Sequence, residues 1–225
     1  MNKIKIIFAF ILILSVASFL APIFFPETFN WAITVIIISI LAISAFVLQF
    51  EKSNSSSKEI ALIAMLSALS ALSRVSFIFF PSVKPSSFII ISSAIVFGPV
   101  SGFIVGLSTP IISNFFLGQG PWTLFQAIAW GLMGASTFFI GKFSRNKLIV
   151  FGFVWGLLYG WILNLWFWTG FVYPLNLTTF IVANLNSLPF DLLHGITNAL
   201  LFFFFGEKVH AVLERFRQRF SVQRI

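Results

Sequence analysis

The chain alternates long apolar runs with short polar breaks, and the runs have the length of membrane helices. Residues 4–25 and 31–50 are nearly continuous aliphatic and aromatic stretches separated by the turn PETFN. Crossing a bilayer takes about 20 mostly apolar residues, so each run predicts a span. The segment EKSNSSSK (51–58) is polar and serine-rich, which predicts a flexible cytoplasmic linker. Apolar runs then resume over 59–80, 86–98, 99–117, 122–141, 148–168 and 178–207. The pattern therefore predicts an all-α integral membrane protein of about eight spans. Two leading helices (1–50) and the linker precede a six-span domain (59–207), and a basic tail follows (208–225). The run 86–98 is short and is divided from the next by Gly98-Pro99. Lipid tolerates such a break only where protein covers it.

Composition agrees with this solvent. Of 225 residues, 59% are hydrophobic and only 9% charged, with 32 phenylalanines and seven tryptophans, whereas roughly a quarter of a soluble domain is charged. The absence of cysteine excludes disulfides, thiolate metal sites and a cysteine nucleophile. The run 4–25 follows Lys3 and Lys5, but it is too long for a signal-peptide core and lacks a small-residue cleavage site, so it is expected to be retained.

The net charge of +8 would suggest nucleic acid in a soluble protein. Here the loops account for it. With the N-terminus in the cytoplasm, Lys3, Lys5, Lys52, Lys58, Lys142, Arg145, Lys147, Lys208, Arg215, Arg217, Arg219 and Arg224 all fall inside. Lys84 is then the one basic residue in an outer loop, and Arg74 lies within a span. The positive-inside rule thus predicts a plasma-membrane protein with both termini cytoplasmic. The basic tail would lie against anionic lipid or a partner, and no nucleic acid is expected.

Polar residues inside spans are costly and mark either function or helix contacts. Asn184, Ser187, Asp191, His194 and Asn198 advance by three and four residues along the last span, which sets them on one seam. Pro189 within it is expected to bend the helix. In the span before, Trp161, Asn164 and Trp168 share a face. The stretch GQGPWTLFQAIAWG (118–131) breaks regular structure at its glycines and proline. It then becomes helical, with Trp122, Gln126 and Trp130 on one stripe. By the predicted topology Arg74, Asn114, Gln119, Trp122, Gln126, Trp130, Asn164, Trp168, Asn184 and Asp191 gather toward the outer half of the six-span unit. A largely apolar cavity with a few fixed polar groups is the usual character of a small-molecule site. In the first span after the linker, Ala64, Ala68 and, one turn on, Ala71 make a smooth small-residue stripe that would let another helix approach.

No phosphate-binding loop, serine-nucleophile motif or metalloprotease motif occurs. No metal site or cofactor is expected. An intramembrane enzyme acting on a lipid or isoprenoid through Asp191 and His194 is the rival reading, and it lacks a second acid.

Residues 58–208 resemble the substrate-binding S components of energy-coupling factor (ECF) vitamin transporters. The likeness rests on the six-span unit, the Ala64-x-x-x-Ala68 pattern and the loop-helix GQGPWTLFQAIAWGLMG (118–134). It implies a binding subunit without catalysis, which captures a vitamin-like micronutrient between loops 81–87, 118–122 and 169–178. It also implies partners: a membrane-embedded coupling subunit docking on the alanine stripe, and two ATPases. The tryptophans and amides, with Arg74 the single embedded arginine, point to a large, partly aromatic, weakly charged ligand. Cobalamin, another corrinoid or a flavin fits that description.

The two leading spans depart from the six-span pattern and carry almost no polar residues. A chain beginning near Ser56 is therefore expected to insert and to retain ligand binding, measurable by comparing both forms after detergent purification.

Overall fold

The computed structural model describes residues 40 and 56–219. The expectations for the two leading helices, Ile40 apart, and for linker residues 51–55 lie outside the described residues. Six α-helices follow: α1 (Ser57–Ser76), α2 (Pro85–Phe97), α3 (Pro99–Leu117), α4 (Trp122–Ala135), α5 (Arg145–Phe171) and α6 (Leu177–Arg219). A 3-10 turn, Ser136–Phe139, extends α4. No strand occurs among the described residues.

The segments correspond in order to the six predicted runs, with three differences. First, α1 starts at Ser57, inside the predicted linker. Ser56 and Glu59 form a reciprocal capping box, Ser56 Oγ accepting from the Glu59 amide and Glu59 Oε2 accepting from the Ser56 amide. This arrangement satisfies two otherwise orphaned donors. Second, α1 ends at Ser76, and residues 77–84 form a turn and loop, of which the hydropathy had merged 77–80 with the span. Third, α6 runs through Pro189 and on to Arg219 without interruption, so residues 208–219 are a helical continuation rather than a separate tail.

Four helices, α1, α3, α5 and α6, are long and apolar enough to cross a membrane. The other two are shorter, with 13 residues in α2 and 14 in α4, and at 1.5 Å per residue each reaches only about 20 Å. Helix α2 compensates by being enclosed. Eleven of its residues are buried, and it packs against all five other helices. A helix that is apolar all round belongs in a core, and here the fold is wrapped around it. At its end Gly98 adopts φ 105°, which a residue with a Cβ resists, and Pro99 opens α3 where its missing amide costs nothing.

Helix contacts are close because glycines line them. Along α5, Gly152, Gly156 and Gly160 recur every fourth residue and face the polar seam of α6. A Cβ on Gly156 would stand 2.3 Å from the Gly195 backbone, and one on Gly160 would stand 1.9 Å from Asp191 Oδ1. The pair α3–α4 meets in the same way, with a Cβ on Gly134 only 2.3 Å from the Gly102 backbone. In lipid, where apolar surface gains little from association, such backbone proximity is a main source of packing energy.

The two faces of α1 differ. Leu62, Ile63, Leu66, Ser67, Ser70 and Ala71 are buried, whereas Ala64 and Ala68 point outward beside Met65 and Leu69. Ala71, 2% exposed, is therefore part of the bundle interior and not of the outward alanine stripe with which the sequence had grouped it.

Substituting Gly156→Ala forces the α5 and α6 backbones apart, and overpacking of this kind costs about 1–3 kcal/mol. Gly170, on the same helix with nothing within 4 Å of an added Cβ, is the control. Gly170→Ala is expected to leave the detergent melting temperature unchanged or slightly raised through helix propensity, while Gly156→Ala lowers it.

Candidate functional site

The chain ends of α1, α3 and α5 and the chain starts of α2, α4 and α6 lie at one end of the bundle, joined by the loops 77–84, 118–121 and 172–176. Two polar clusters sit below those loops. The first links α1, α3 and α4. Arg74 Nη1 donates to Ser113 Oγ at 2.6 Å and to Asn114 Oδ1 at 2.5 Å. Asn114 Nδ2 in turn donates to Thr123 Oγ1 at 2.7 Å and to Gln126 Oε1 at 2.9 Å. The Thr123 hydroxyl donates to Gln119 Oε1, and Gln119 Nε2 donates back to the Ile111 carbonyl. The GQGPW loop is thus tied to α3 through side chains, which its broken backbone requires.

The second cluster links α5 and α6. Asn164 Nδ2 donates to Asn184 Oδ1 at 3.0 Å and to Ser187 Oγ at 2.7 Å, and Ser187 Oγ donates to Asp191 Oδ2 at 2.8 Å. The polar seam of α6 divides at this point. Asn198 donates to the Gly152 carbonyl at 2.9 Å and so serves helix packing alone. His194 turns instead toward α2.

Between the clusters stand two buried aromatic rings, Trp130 and Tyr159, 4.6 Å apart. Arg74 Cζ lies 5.2 Å from the Trp130 ring, and Lys84 Nζ lies 4.5 Å from the Tyr159 ring. Trp130 Nε1 donates to Ser87 Oγ at 2.9 Å, and the same oxygen is 2.8 Å from His194 Nε2. Ser87 has one hydroxyl proton. With the imidazole proton on Nδ1, that hydroxyl proton goes to His194 Nε2. His194 is also hydrogen-bonded to the Gly156 backbone, the partner that this tautomer needs.

Among the sequence-predicted residues, Arg74, Asn114, Gln126 and Trp130 come together in the first cluster, and Asn164, Asn184 and Asp191 in the second. Three others have different surroundings. Gln119 is exposed at the rim and structures its loop. Trp122 folds over Gly120 and meets Trp166 edge-on at 5.6 Å, above rather than within the polar cluster. Trp168 is fully buried against Phe180 and donates to Thr179 Oγ1 at 2.9 Å, so its polar edge closes the α5–α6 turn. Trp161, on the face assigned to Asn164, is 45% exposed and points away.

Sequence reasoning missed Ser87, Ser113 and Tyr159 and left Lys84 in a loop. The serines gave no periodic signal inside serine-containing apolar runs. Tyr159 had a readable one, since it sits beside Gly160 in the every-fourth-residue glycine row.

A cavity of about 520 Å³ opens beside α4, lined by Leu107, Ile111, Thr123, Leu124, Trp166 and Thr169, and touches the first cluster through Thr123. Its walls are nearly all apolar, and no charged residue lines it. Volume without converging polar groups orients no polar ligand, so the clusters around Trp130 and Tyr159 are the candidate site.

What such an arrangement can do is bind. Arg74, Lys84, Asp191 and His194 are held at separate points; the Ser87 hydroxyl beside His194 is fully buried and also accepts from the Trp130 indole, and no cluster of three metal-ligating side chains occurs among the described residues. Comparison with curated proteins and with solved structures gave no match. Residues 58–205 match the family model described as ECF transporter, substrate-specific component. That match takes in all six helices up to the inner part of α6, the loops over the site and both polar clusters; the chain belongs to the ECF transporter substrate-specific components, membrane proteins that serve transport by binding a small molecule.

Proposed function

We propose that this protein is the substrate-capturing subunit of an ECF-type importer, taking a vitamin or related micronutrient at the outer face for ATP-driven uptake. The observation that carries the reading is the convergence of Arg74, Asn114, Gln126, Trp130, Asn164 and Asn184 at one end of a bundle whose family binds transport substrates. The positive-inside distribution of Lys and Arg makes that end extracellular and both termini cytoplasmic in a plasma membrane. The eight-span count, with helices over 4–25 and 31–50, belongs to the same reading. A partly aromatic micronutrient, a corrinoid or flavin among them, suits the tryptophans and amides. Asp191 and His194 are hydrogen-bonded to Ser187 and Ser87 respectively, and nothing favours their acting as an enzyme's catalytic pair.

Release to the cytoplasm requires partners, a coupling subunit in the membrane and two ATPases. Ala64 and Ala68 on the outward face of α1 are the docking stripe, because small side chains let a second helix approach closely. Ala71 contributes to packing behind it.

Two measurements test this. Gln126→Leu and Asn164→Leu each remove a hydrogen-bonding amide at near-constant size. A buried polar group left without a partner costs about 1–3 kcal/mol, or roughly ten- to a hundredfold in affinity. Mass spectrometry of small molecules carried through detergent purification is expected to show a micronutrient on the wild type and much less on either variant, at similar melting temperature. Lower stability with unchanged ligand occupancy would instead make these amides packing groups. For docking, Ala64→Trp or Ala68→Trp is expected to abolish co-purification of coupling subunit and ATPases while leaving occupancy intact. Complex formation unchanged in both variants would exclude this face.

A further inference from the structure

The sequence counts one embedded cation, Arg74, and so points to a weakly charged ligand. Folding adds a second. The loop residue Lys84, immediately before α2, directs its ammonium inward to within 4.5 Å of the Tyr159 ring. Trp130 and Tyr159 therefore form a tilted ring pair with a cation against each member. Against these two positive charges the site holds one carboxylate, Asp191. Among the described residues the ion pairs are Arg145–Glu207 and Arg217–Glu214, so neither Arg74 nor Lys84 has an acid within 4 Å.

Arg74 is at least hydrogen-bonded to Ser113 and Asn114. For Lys84 the ring of Tyr159 is the contact described, and cation–π attraction is weaker than the hydration that an ammonium gives up on burial. Two further groups are unsatisfied at the same place. The Tyr159 hydroxyl, on a residue 1% exposed, has no hydrogen-bond partner, and neither has Ser86 Oγ, on a residue 0% exposed. Both can donate, and Ser86 and Ser87 stand in the first turn of α2, which has no side-chain cap; Pro85 lacks an amide and the Ser87 amide is bonded to the Lys84 carbonyl, so it is the helix dipole that favours negative charge there. Two cations against one carboxylate, an orphaned hydroxyl on the ring that Lys84 faces and the adjoining helix start describe a receptor for an anion.

We infer that the captured micronutrient carries an anionic group, a carboxylate or phosphate, received by Lys84 and the Tyr159 hydroxyl, with Arg74 on the far side of the Trp130–Tyr159 pair. This rests on the reading of the protein as a substrate-capturing subunit and assigns its substrate class. Lys84 and Arg74 are both partly exposed, so an anion meets these cations first and reaches the enclosed Tyr159 hydroxyl by displacing the side chains over it. One added negative charge brings Arg74, Lys84 and Asp191 to neutrality.

The test uses the full chain in detergent, freed of carried-over ligand. It is dialysed against matched probe pairs that differ in the anionic group: nicotinate and nicotinamide, biotin and biotinamide, pantothenate and pantothenol, riboflavin phosphate and riboflavin. Retention is read by mass spectrometry. An acid retained at least about tenfold over its neutral partner, as charge-assisted hydrogen bonds imply, is the expected result, and which pair responds separates carboxylate from phosphate. Lys84→Gln and Tyr159→Phe are expected to erase that preference. Tyr159→Phe should do so without lowering the melting temperature, since it deletes a hydroxyl that has no partner in the unliganded protein. Equal or stronger retention of a neutral partner overturns this inference and leaves the capture function standing, as does a preference for the acid that both variants preserve. Retention of no probe, acid or neutral, overturns the inference, while the capture function is judged separately by whether the wild type carries a small molecule through purification.

Discussion

One hydroxyl organises the interior. Ser87 accepts from the Trp130 indole of α4 and meets the His194 imidazole of α6, and His194 is bonded in turn to the α5 backbone at Gly156. Four helices are thereby joined through a chain of polar contacts at depths where water supplies no alternative partner. In a medium of that kind a polar group without a mate costs far more than at a surface. Loss of the hydroxyl would leave an indole N–H and an imidazole nitrogen unsatisfied together. The aromatic pair Trp130–Tyr159 takes its position from this chain, and the cations on either side take theirs from the aromatic pair.

For Ser87 to reach both partners, α2 must stand in the middle. Its short length and its burial on every side serve that placement, since a longer helix would have to present itself to lipid or to the head groups. The glycine rows serve it too. Gly152, Gly156 and Gly160 bring α5 against the polar seam of α6, and Gly102 and Gly134 bring α3 against α4, so that side chains from opposite helices close over a narrow central region. The resulting bundle has a packed, polar-threaded end beneath its loops and a smooth alanine face on α1. The first suits a protein that binds a small molecule for transport.

The electrostatics follow from the same enclosure. Arg74 and Lys84 gain aromatic faces without a carboxylate within 4 Å, and Asp191, hydrogen-bonded by Ser187, attracts Lys84 from farther off. One carboxylate offsets two cations only in part, so the site keeps an attraction for a negatively charged guest.

Much of this was legible in the chain. Apolar run length set the helix count and order of the six-helix unit, because each run must satisfy its backbone internally in lipid. Period-four spacing placed Gln126 with Trp130 and Asn184 with Asp191. Other features depended on contacts between distant residues. Trp168 shares its spacing with Asn164 but meets Thr179 and Phe180, and Ala71 looks like Ala68 but turns inward, because the helix facing a residue, not its own periodicity, decides what it touches. Lys84 reads as a loop cation until the loop is folded over Tyr159. Sequence by itself determined a helical membrane protein with a polar end and a small-residue face. Only tertiary structure decided which polar groups satisfy one another and which remain open to a ligand, since that depends on distances of a few ångströms across helices that no local pattern encodes.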